Sequence, residues 1–158
     1  MSGEGGDHRL RRVDLDPGTL ASPSSEIEHE RQVAVFDLVE QSSFQPQGAA
    51  RGPYDLAIGC EENRLILDVS GPDFAKRHML SLTPLKGVIR DYHAICDSYH
   101  EAVRGSTPSQ IEAIDMGRRG LHNEGATLLR ERLAGKIELD HETARRLFTL
   151  ISALHRRA

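Results

Sequence analysis

The chain has 158 residues, of which 38% are hydrophobic and 28% charged, which predicts one soluble globular domain with its own core. A formal net charge of -4 argues against a dedicated nucleic-acid-binding protein, because such proteins usually carry an excess of basic residues. Two isolated cysteines, Cys60 and Cys96, fit a reducing compartment better than an exported disulfide framework. No apolar run approaches the roughly 20 residues that cross a bilayer, so we expect a cytoplasmic protein without membrane contact.

The amino-terminal residues 1–9 are mostly polar and contain three glycines, so we expect a disordered tail before a single α+β domain at residues 10–158. Apolar and charged residues alternate from residue 9 to residue 16, which predicts an edge strand. The Asp-Pro-Gly sequence at residues 16–18 is typical of a turn and should end this strand.

The first predicted helix begins at a capping box, Ser-Glu-Ile-Glu at residues 25–28, in which Ser25 caps the helix and Glu28 reaches back. The helix should run to about Gln41 and be followed by a polar loop at residues 42–53. Its apolar side chains are expected to share one broad face: Ile27, Ala34, Val35, Phe36, Leu38 and Val39.

A β-hairpin is predicted next, because residues 54–60 and 64–70 alternate like two strands around a Glu-Glu-Asn turn at residues 61–63. Residues 76–82 can add a third strand. Thr83 and Pro84 then begin a helix in the preferred way, with a cap and with proline at the first helical position.

The helix after Pro84 shows the strongest periodic pattern of the chain and should end at Gly105. Its apolar residues recur at steps of three and four: Leu85, Val88, Ile89, Tyr92, Ile95, Cys96, Tyr99 and Val103. We expect this face, from Leu85 to Tyr99, to line the main core.

Residues 107–125 open with a second capping box and then carry three glycines, at positions 117, 120 and 125. A glycine inside a helix costs about 1 kcal/mol relative to alanine, so the chain should bend here or let another group approach its backbone. A final helix is predicted after Asp140. Strands gathered early and helices gathered late predict an α+β fold, with three to four strands in a small antiparallel sheet packed with four to five helices.

Polar and ionisable residues around these glycines form the candidate ligand-binding site: Asp115, Arg118, Arg119, His122, Asn123 and Glu124. Arginine, histidine and asparagine donate hydrogen bonds to carboxylate or phosphate, whereas carboxylates accept them or act as general bases. On a helix Asp115, Arg119 and His122 share a face, so we expect one cluster. The alternative is structural: the glycines allow close helix packing and the charges pair internally.

The sequence favours a non-catalytic protein that contacts a small anionic ligand or an acidic protein surface through residues 112–124. An enzyme with an acid–base cluster around His122 is one alternative. An RNA-binding protein that uses Arg118 and Arg119 is another. No phosphate-binding loop, dinucleotide fingerprint or nucleophile elbow occurs in the sequence, and we predict no cofactor.

Two further polar clusters lie on predicted helices. His93, Asp97 and His100 have a spacing that suits a metal ion, but they share their side of the helix with Lys86 and Arg90, as on any solvated helix face, so we predict no metal. The last predicted helix is basic, because it carries Arg145, Arg146, His155, Arg156 and Arg157. Positive charges are favoured by the dipole at the carboxyl end of a helix, and they could also bind an acidic partner.

Four segments carry a resemblance to a known family, namely residues 24–31, 61–65, 107–125 and 144–151. With them the chain resembles Uncharacterised Protein Family 0262 of alphaproteobacteria, over about residues 10–155. The resemblance implies a bacterial cytosolic protein. It implies no activity and supplies no catalytic residues.

Overall fold

The computed structural model describes residues 6–20 and 23–156, within which four helices and six strands follow one another. In chain order these are β1 (Leu10–Leu15), α1 (Ser25–Glu40), β2 (Phe44–Pro46), β3 (Tyr54–Glu61), β4 (Arg64–Gly71), β5 (Phe74–Ser81), α2 (Thr83–Gly105), α3 (Pro108–Leu133), β6 (Ile137–Leu139) and α4 (His141–Leu154). Residues 1–5 of the predicted tail and Arg157 of the predicted basic surface lie outside the described residues.

The larger sheet has the strand order β1-β3-β4-β5. β3 and β4 form the predicted hairpin, and β5 extends it with a second antiparallel pairing. β1 instead runs parallel to β3, because the chain crosses over through α1 between these two strands. The α+β class is therefore confirmed, while the sheet is mixed rather than wholly antiparallel.

The hairpin turn depends on two residues with left-handed backbone, Glu62 at φ 52° and Asn63 at φ 64°. Two positive φ angles in succession are typical of a type I′ turn, whose twist matches that of the flanking strands. The Asn63 side chain also donates a hydrogen bond to Thr83 Oγ1 at 3.0 Å. Thr83 is thus not the cap that the sequence predicted, because the cap position of α2 is occupied by Leu82.

A second, two-stranded sheet joins β2 and β6, where the sequence predicted only a loop at residues 42–53. Phe44 pairs with Leu139 and Pro46 with Ile137. Three residues that end in proline are too few to show an alternating pattern, so the pairing depends on tertiary contacts. This pairing of β2 with β6 fixes the segment after α1 to the connection between α3 and α4.

The start of α1 is capped by Ser24 and not by Ser25, since the Ser24 hydroxyl accepts a hydrogen bond from the Ile27 N–H at 3.3 Å. The predicted cap was therefore wrong by one residue. Phe36 was also predicted wrongly, because its side chain is 63% exposed and does not share the buried face of α1. That face instead includes Arg31.

α3 is a continuous helix through all three glycines, so the predicted bend does not occur. A Cβ on Gly117 would lie 2.8 Å from Ile95 Cδ1 of α2, and one on Gly125 would lie 2.3 Å from the Phe148 ring of α4. These two glycines allow neighbouring helices to approach α3 closely, as in the structural alternative. A Cβ on Gly120, by contrast, would meet no atom within 4 Å.

The core lies between the larger sheet and the helices, and most of the buried apolar side chains of α2 come from the first part of the helix, with Ala102 near its end. Leu85, Val88 and Ile89 are buried, as predicted. The remaining residues of the predicted core face are only half-buried: Tyr92, Ile95, Cys96 and Tyr99. Beyond Ile89 the helix packs mainly along α3, as the Ile95 contact with Gly117 shows, and it touches α4 through side chains such as Tyr92 and His93.

Candidate functional site

His122 lies where α3 passes α4, and both of its ring nitrogens have hydrogen-bond partners. Nε2 is 3.0 Å from the Arg145 carbonyl oxygen and 2.8 Å from Thr149 Oγ1, while Nδ1 is 3.2 Å from Arg145 Nη2. Because a guanidinium can only donate, Nδ1 must accept and the proton must lie on Nε2. In this arrangement His122 has no free nitrogen for proton transfer.

Burial lowers the pKa of His122, and the nearby Arg145 and Arg118 lower it further. Tyr92 stacks on the imidazole, with the ring centroids 5.4 Å apart, and burial raises the pKa of Tyr92 to about 12. Both rings are therefore uncharged near neutral pH. Together they form a packed aromatic contact between α2 and α3.

A cavity of about 220 Å³ opens beside His122, between α1, α3 and α4. It is lined by Ala34, Asp37, His122, Glu142, Arg145, Arg146 and Thr149. Arg146 donates a hydrogen bond to the Gln41 carbonyl at 3.1 Å, and Arg145 lies 3.4 Å from Glu142. Two arginines and two carboxylates balance one another, so the cavity does not favour an anion.

Asp115 binds both of the arginines that follow it on α3. One carboxylate oxygen lies 2.6 Å from Arg119 Nη2, and the other is hydrogen-bonded by Arg118. These hydrogen bonds, from Arg119 and then from Arg118, hold the pKa of Asp115 below its usual value. Within the described residues no hydrogen bond or ion pair joins this group to His122, and the connection between them is the charge of Arg118, which lowers the pKa of His122.

The other two candidate residues, Asn123 and Glu124, are both exposed. Asn123 Oδ1 lies 3.4 Å from His141 Nε2 of α4, a weak contact. Glu124 has no salt bridge within residues 6–20 and 23–156. Neither side chain lines the cavity beside His122.

A larger cleft, of about 510 Å³, lies between α2 and the carboxyl-terminal end of α4. Its lining consists of Leu82, Lys86, Ile89, Arg90, His93, Asp97, His155 and Arg156. Three of these side chains are cations, and Asp97 is the only carboxylate among the described residues that line the cleft. The polar lining residues of α2 recur at steps of three and four and therefore lie on the same side of the helix.

Two contacts connect the walls of the cleft. Arg156 follows the end of α4, and its Nη2 lies 2.5 Å from Asp97 Oδ1. His93 Nε2 donates a hydrogen bond to the Ser152 carbonyl of α4 at 2.8 Å. Two of the three side chains with metal-ligand spacing thus have other partners. The described part of the chain contains no group of three or more His, Cys, Asp or Glu placed to hold a metal ion.

Cys60 of β3 lies next to the cleft, with its Sγ atom 3.9 Å from His155 Nε2. His155 Nδ1 donates to the Ile151 carbonyl at 2.8 Å, so Nε2 is left to accept from the thiol. Burial raises the pKa of Cys60, which keeps the thiol protonated and unreactive at neutral pH. Cys96 is also a free, half-buried thiol whose pKa is raised by burial.

A family model described as an uncharacterised protein family, UPF0262, matches residues 7–157. The chain belongs to this family. The match includes every helix and strand of the structure, and with them the α2–α4 cleft and the His122 cavity.

Relatives of this UPF0262 chain come from alphaproteobacteria. A UPF0262 protein of Phenylobacterium zucineum is 62% identical over 148 residues, which cover 94% of this chain and 93% of the relative. A UPF0262 protein of Caulobacter vibrioides is 57% identical over 149 residues, or 94% of each chain. One from Rhodopseudomonas palustris is 53% identical over 151 residues, covering 94% and 93% of the two chains. No solved structure matches the chain.

Sequence reasoning found one wall of the UPF0262 cleft but interpreted it as a solvated helix face. Lys86, Arg90 and His93 do lie on the polar side of α2, and nothing local distinguishes them from surface charges. The second wall, His155 and Arg156, lies far along the chain, and only the fold brings it there. None of the described helices is both long enough and apolar enough to span a membrane.

Proposed function

We propose that this UPF0262 protein is a non-catalytic cytoplasmic protein that binds a small organic anion in the cleft between α2 and α4. The observation that carries the proposal is the charge of the lining, three cationic side chains against one carboxylate. A concave surface with an excess of one charge raises the local concentration of ligands of the opposite charge.

The two cations on α2 are available to a ligand. Lys86 has no salt bridge within the described part of the chain, and the Arg90 guanidinium is 3.5 Å from Asp91 with a side chain that is 78% exposed. Arg156 is positioned by Asp97 and presents the rest of its guanidinium from the opposite wall. A lysine and two arginines on two walls suit a carboxylate or phosphate group.

The ligand should also have an apolar or neutral body. Leu82 and Ile89, which are 3% and 6% exposed, supply the apolar part of the lining. The volume of about 510 Å³ lies within the range of roughly 300–1,000 Å³ that holds small organic ligands. A bare inorganic anion would leave most of this space unfilled.

The segment at residues 112–124, where the sequence centred the function, supports the proposal less well. Arg118 and Arg119 already share the carboxylate of Asp115, which lowers their pull on another anion. His122 has partners at both ring nitrogens, which favours a binding protein over acid–base catalysis at this position. The α2–α4 cleft is therefore the better candidate for the anion.

Binding can be tested with three small probes that share one ring: phenyl phosphate, benzoate and benzyl alcohol. Isothermal titration calorimetry should show heat for the first two and none for the neutral alcohol. Binding should weaken as salt is raised, because charges on an open cleft are screened over about 8–10 Å at ordinary ionic strength. Inorganic phosphate should bind more weakly than phenyl phosphate if the apolar lining contributes.

A double variant, Lys86→Ala with Arg90→Ala, should abolish this binding. Both side chains are exposed, so the melting temperature should change little. The matched control is Arg130→Ala with Arg132→Ala, which removes the same charge from exposed positions near the end of α3. Equal loss in both double variants would mean that net charge, and not the cleft, attracts the probes, and the proposal would fail.

A further inference from the structure

The outward side of α3 is a continuous exposed face with an apolar centre. Met116, which is 63% exposed, lies in the middle of this face. The other exposed side chains along it are small or polar: Ser109, Ala113, Gly120 and Asn123. At 1.5 Å per residue the face from Ser109 to Asn123 is about 21 Å long. His141 of α4 approaches one end of the face, with its Nε2 atom 3.4 Å from Asn123 Oδ1, and the residues from Ser109 to Gly120 on the face are exposed.

No contact within the described part of the chain requires glycine at position 120. Gly117 and Gly125 lie against the Ile95 and Phe148 side chains, but a Cβ on Gly120 would meet nothing within 4 Å. Glycine in the interior of a helix is unfavourable, and a close approach by another backbone is a common reason to keep one. No part of the described chain makes that approach at Gly120, so the glycine leaves room there for the backbone of another molecule.

The charges along one edge of this face are self-complementary. Glu112 and Arg119 are both exposed and lie on the same side of Met116. Glu112 has no salt bridge within residues 6–20 and 23–156. Arg119 shares the single carboxylate of Asp115 with Arg118, so these three residues keep one positive charge in excess. The edge therefore carries Glu112, which has no salt bridge among the described residues, and Arg119, which shares its only carboxylate partner there with Arg118.

We propose that α3 packs antiparallel against α3 of a second copy of this chain, about a two-fold axis near Met116. The axis reverses the helix direction but keeps each edge of the face on the same side. Glu112 then lies beside Arg119 of the second copy, and Arg119 beside Glu112 of that copy, so that the contact contains two identical ion pairs. On the opposite edge Ala113 meets Gly120 of the second copy, which lets the helices approach closely. A two-fold contact of this kind is the commonest form of oligomer.

The second copy is favoured over a different partner because each charge on the face finds its complement on the same face. The proposal is independent of anion binding, since none of these α3 residues lines the α2–α4 cleft. Light scattering and sedimentation velocity on the untagged full chain should therefore show a dimer whether or not an anion is present.

Charge reversal gives the decisive test. Glu112→Lys and Arg119→Glu should each weaken the dimer by about tenfold or more, because the two-fold axis turns each change into two like-charge contacts. The double variant, with both changes, restores two opposite-charge contacts and should restore the dimer. Circular dichroism melts of all three variants will show whether each monomer is folded, which the exposure of both positions leads us to expect.

Gly120→Gln and Gly87→Gln form a matched pair. Both glycines lie inside helices with open space at the Cβ position, but only Gly120 lies on the proposed face. Gly120→Gln should dissociate the dimer, and Gly87→Gln should leave it intact. A wild-type chain that is monomeric at every concentration would overturn the proposal and leave the face to a different protein. A dimer that survives both single charge reversals would place the contact elsewhere and also overturn it.

Discussion

Gly125 of α3 lies against the ring of Phe148 of α4, so closely that a Cβ atom at position 125 would be 2.3 Å from Phe148 Cζ. Both residues are fully buried. The absence of a side chain at position 125 is therefore what allows the fourth helix to place its largest apolar residue in the core. A larger residue at position 125 would force α3 and α4 apart or displace the Phe148 ring.

Gly125→Ala should lower the free energy of unfolding by about 1–3 kcal/mol, because the added methyl forces the Phe148 ring or the helix to move. Gly87→Ala is the control, since nothing lies within 4 Å of its added methyl. That change should instead raise the free energy of unfolding by about 0.5–1 kcal/mol through helix propensity. Urea unfolding followed by circular dichroism measures both, and equal stabilisation of the two variants would contradict the close packing.

Leu85→Ala should cost about 2–5 kcal/mol, because Leu85 is fully buried in the core. Ile95→Ala should cost less, about 1–2 kcal/mol, since Ile95 is only half-buried and contacts α3 at Gly117. Thermal melts of the two variants give the order directly. A larger loss for Ile95→Ala would restore the sequence-based expectation that the whole apolar face of α2 lines the core.

Stability should fall as the solution becomes acidic below about pH 6.5. Burial lowers the pKa of His78, His93 and His122 from the ordinary value of 6.5. The unfolded chain therefore binds protons at these three histidines before the folded chain does, and the free energy of unfolding decreases as pH falls through that value. Well above pH 6.5 all three histidines are neutral in both states, and the free energy of unfolding no longer depends on their protonation.

Urea unfolding at a series of pH values tests this expectation. His122→Gln should reduce the pH dependence, while His29→Gln, at an exposed position of α1, should leave it unchanged. A wild-type chain whose stability rises toward acidic pH would contradict the direction of all three pKa shifts.

Features with local signals could be predicted from the sequence. The hairpin of β3 and β4 followed from alternation around Asn63, and the start of α3 from the spacing of Thr107 and Gln110, whose side chain and backbone bonds form the predicted capping box. The start of α1 shows the limit of such signals. Ser24 and Ser25 have the same chemistry, and only the path of the chain decides which of them caps the helix.

Features that depend on distant partners could not be predicted. Three glycines inside one helix are unusual, but nothing near them in sequence reveals that Ile95 and Phe148 occupy the space beside two of them. The α2–α4 cleft likewise needs Arg156, just past the end of α4, beside Asp97 of α2, and these two residues are far apart in the sequence. In each case the sequence shows the residue type, but only the packing of the folded chain explains why that residue is there.

The affinity of the cleft for an anion should rise as pH falls. His93 lines the cleft, and the groups that face it are His155 and Arg156, just past the end of α4, Asp97 of α2 and the Ser152 carbonyl of α4. Burial lowers the pKa of His93, so the imidazole is neutral at physiological pH, and its protonation at lower pH adds a positive charge to the lining. A bound anion favours that protonated form, which by linkage means that the protonated cleft binds the anion more tightly.

Benzenesulfonate is the suitable probe for this effect, because its own charge does not change between about pH 8 and about pH 5.5, where a histidine titrates. Calorimetric titrations across that range should show a dissociation constant that changes little at the alkaline end and falls toward the acidic end. His93→Gln, which can still donate to the Ser152 carbonyl, should remove most of the pH dependence. His100→Gln is the control, because His100 is exposed on the same helix and does not line the cleft. If the two variants keep the same pH dependence as the wild type, His93 does not face the bound anion.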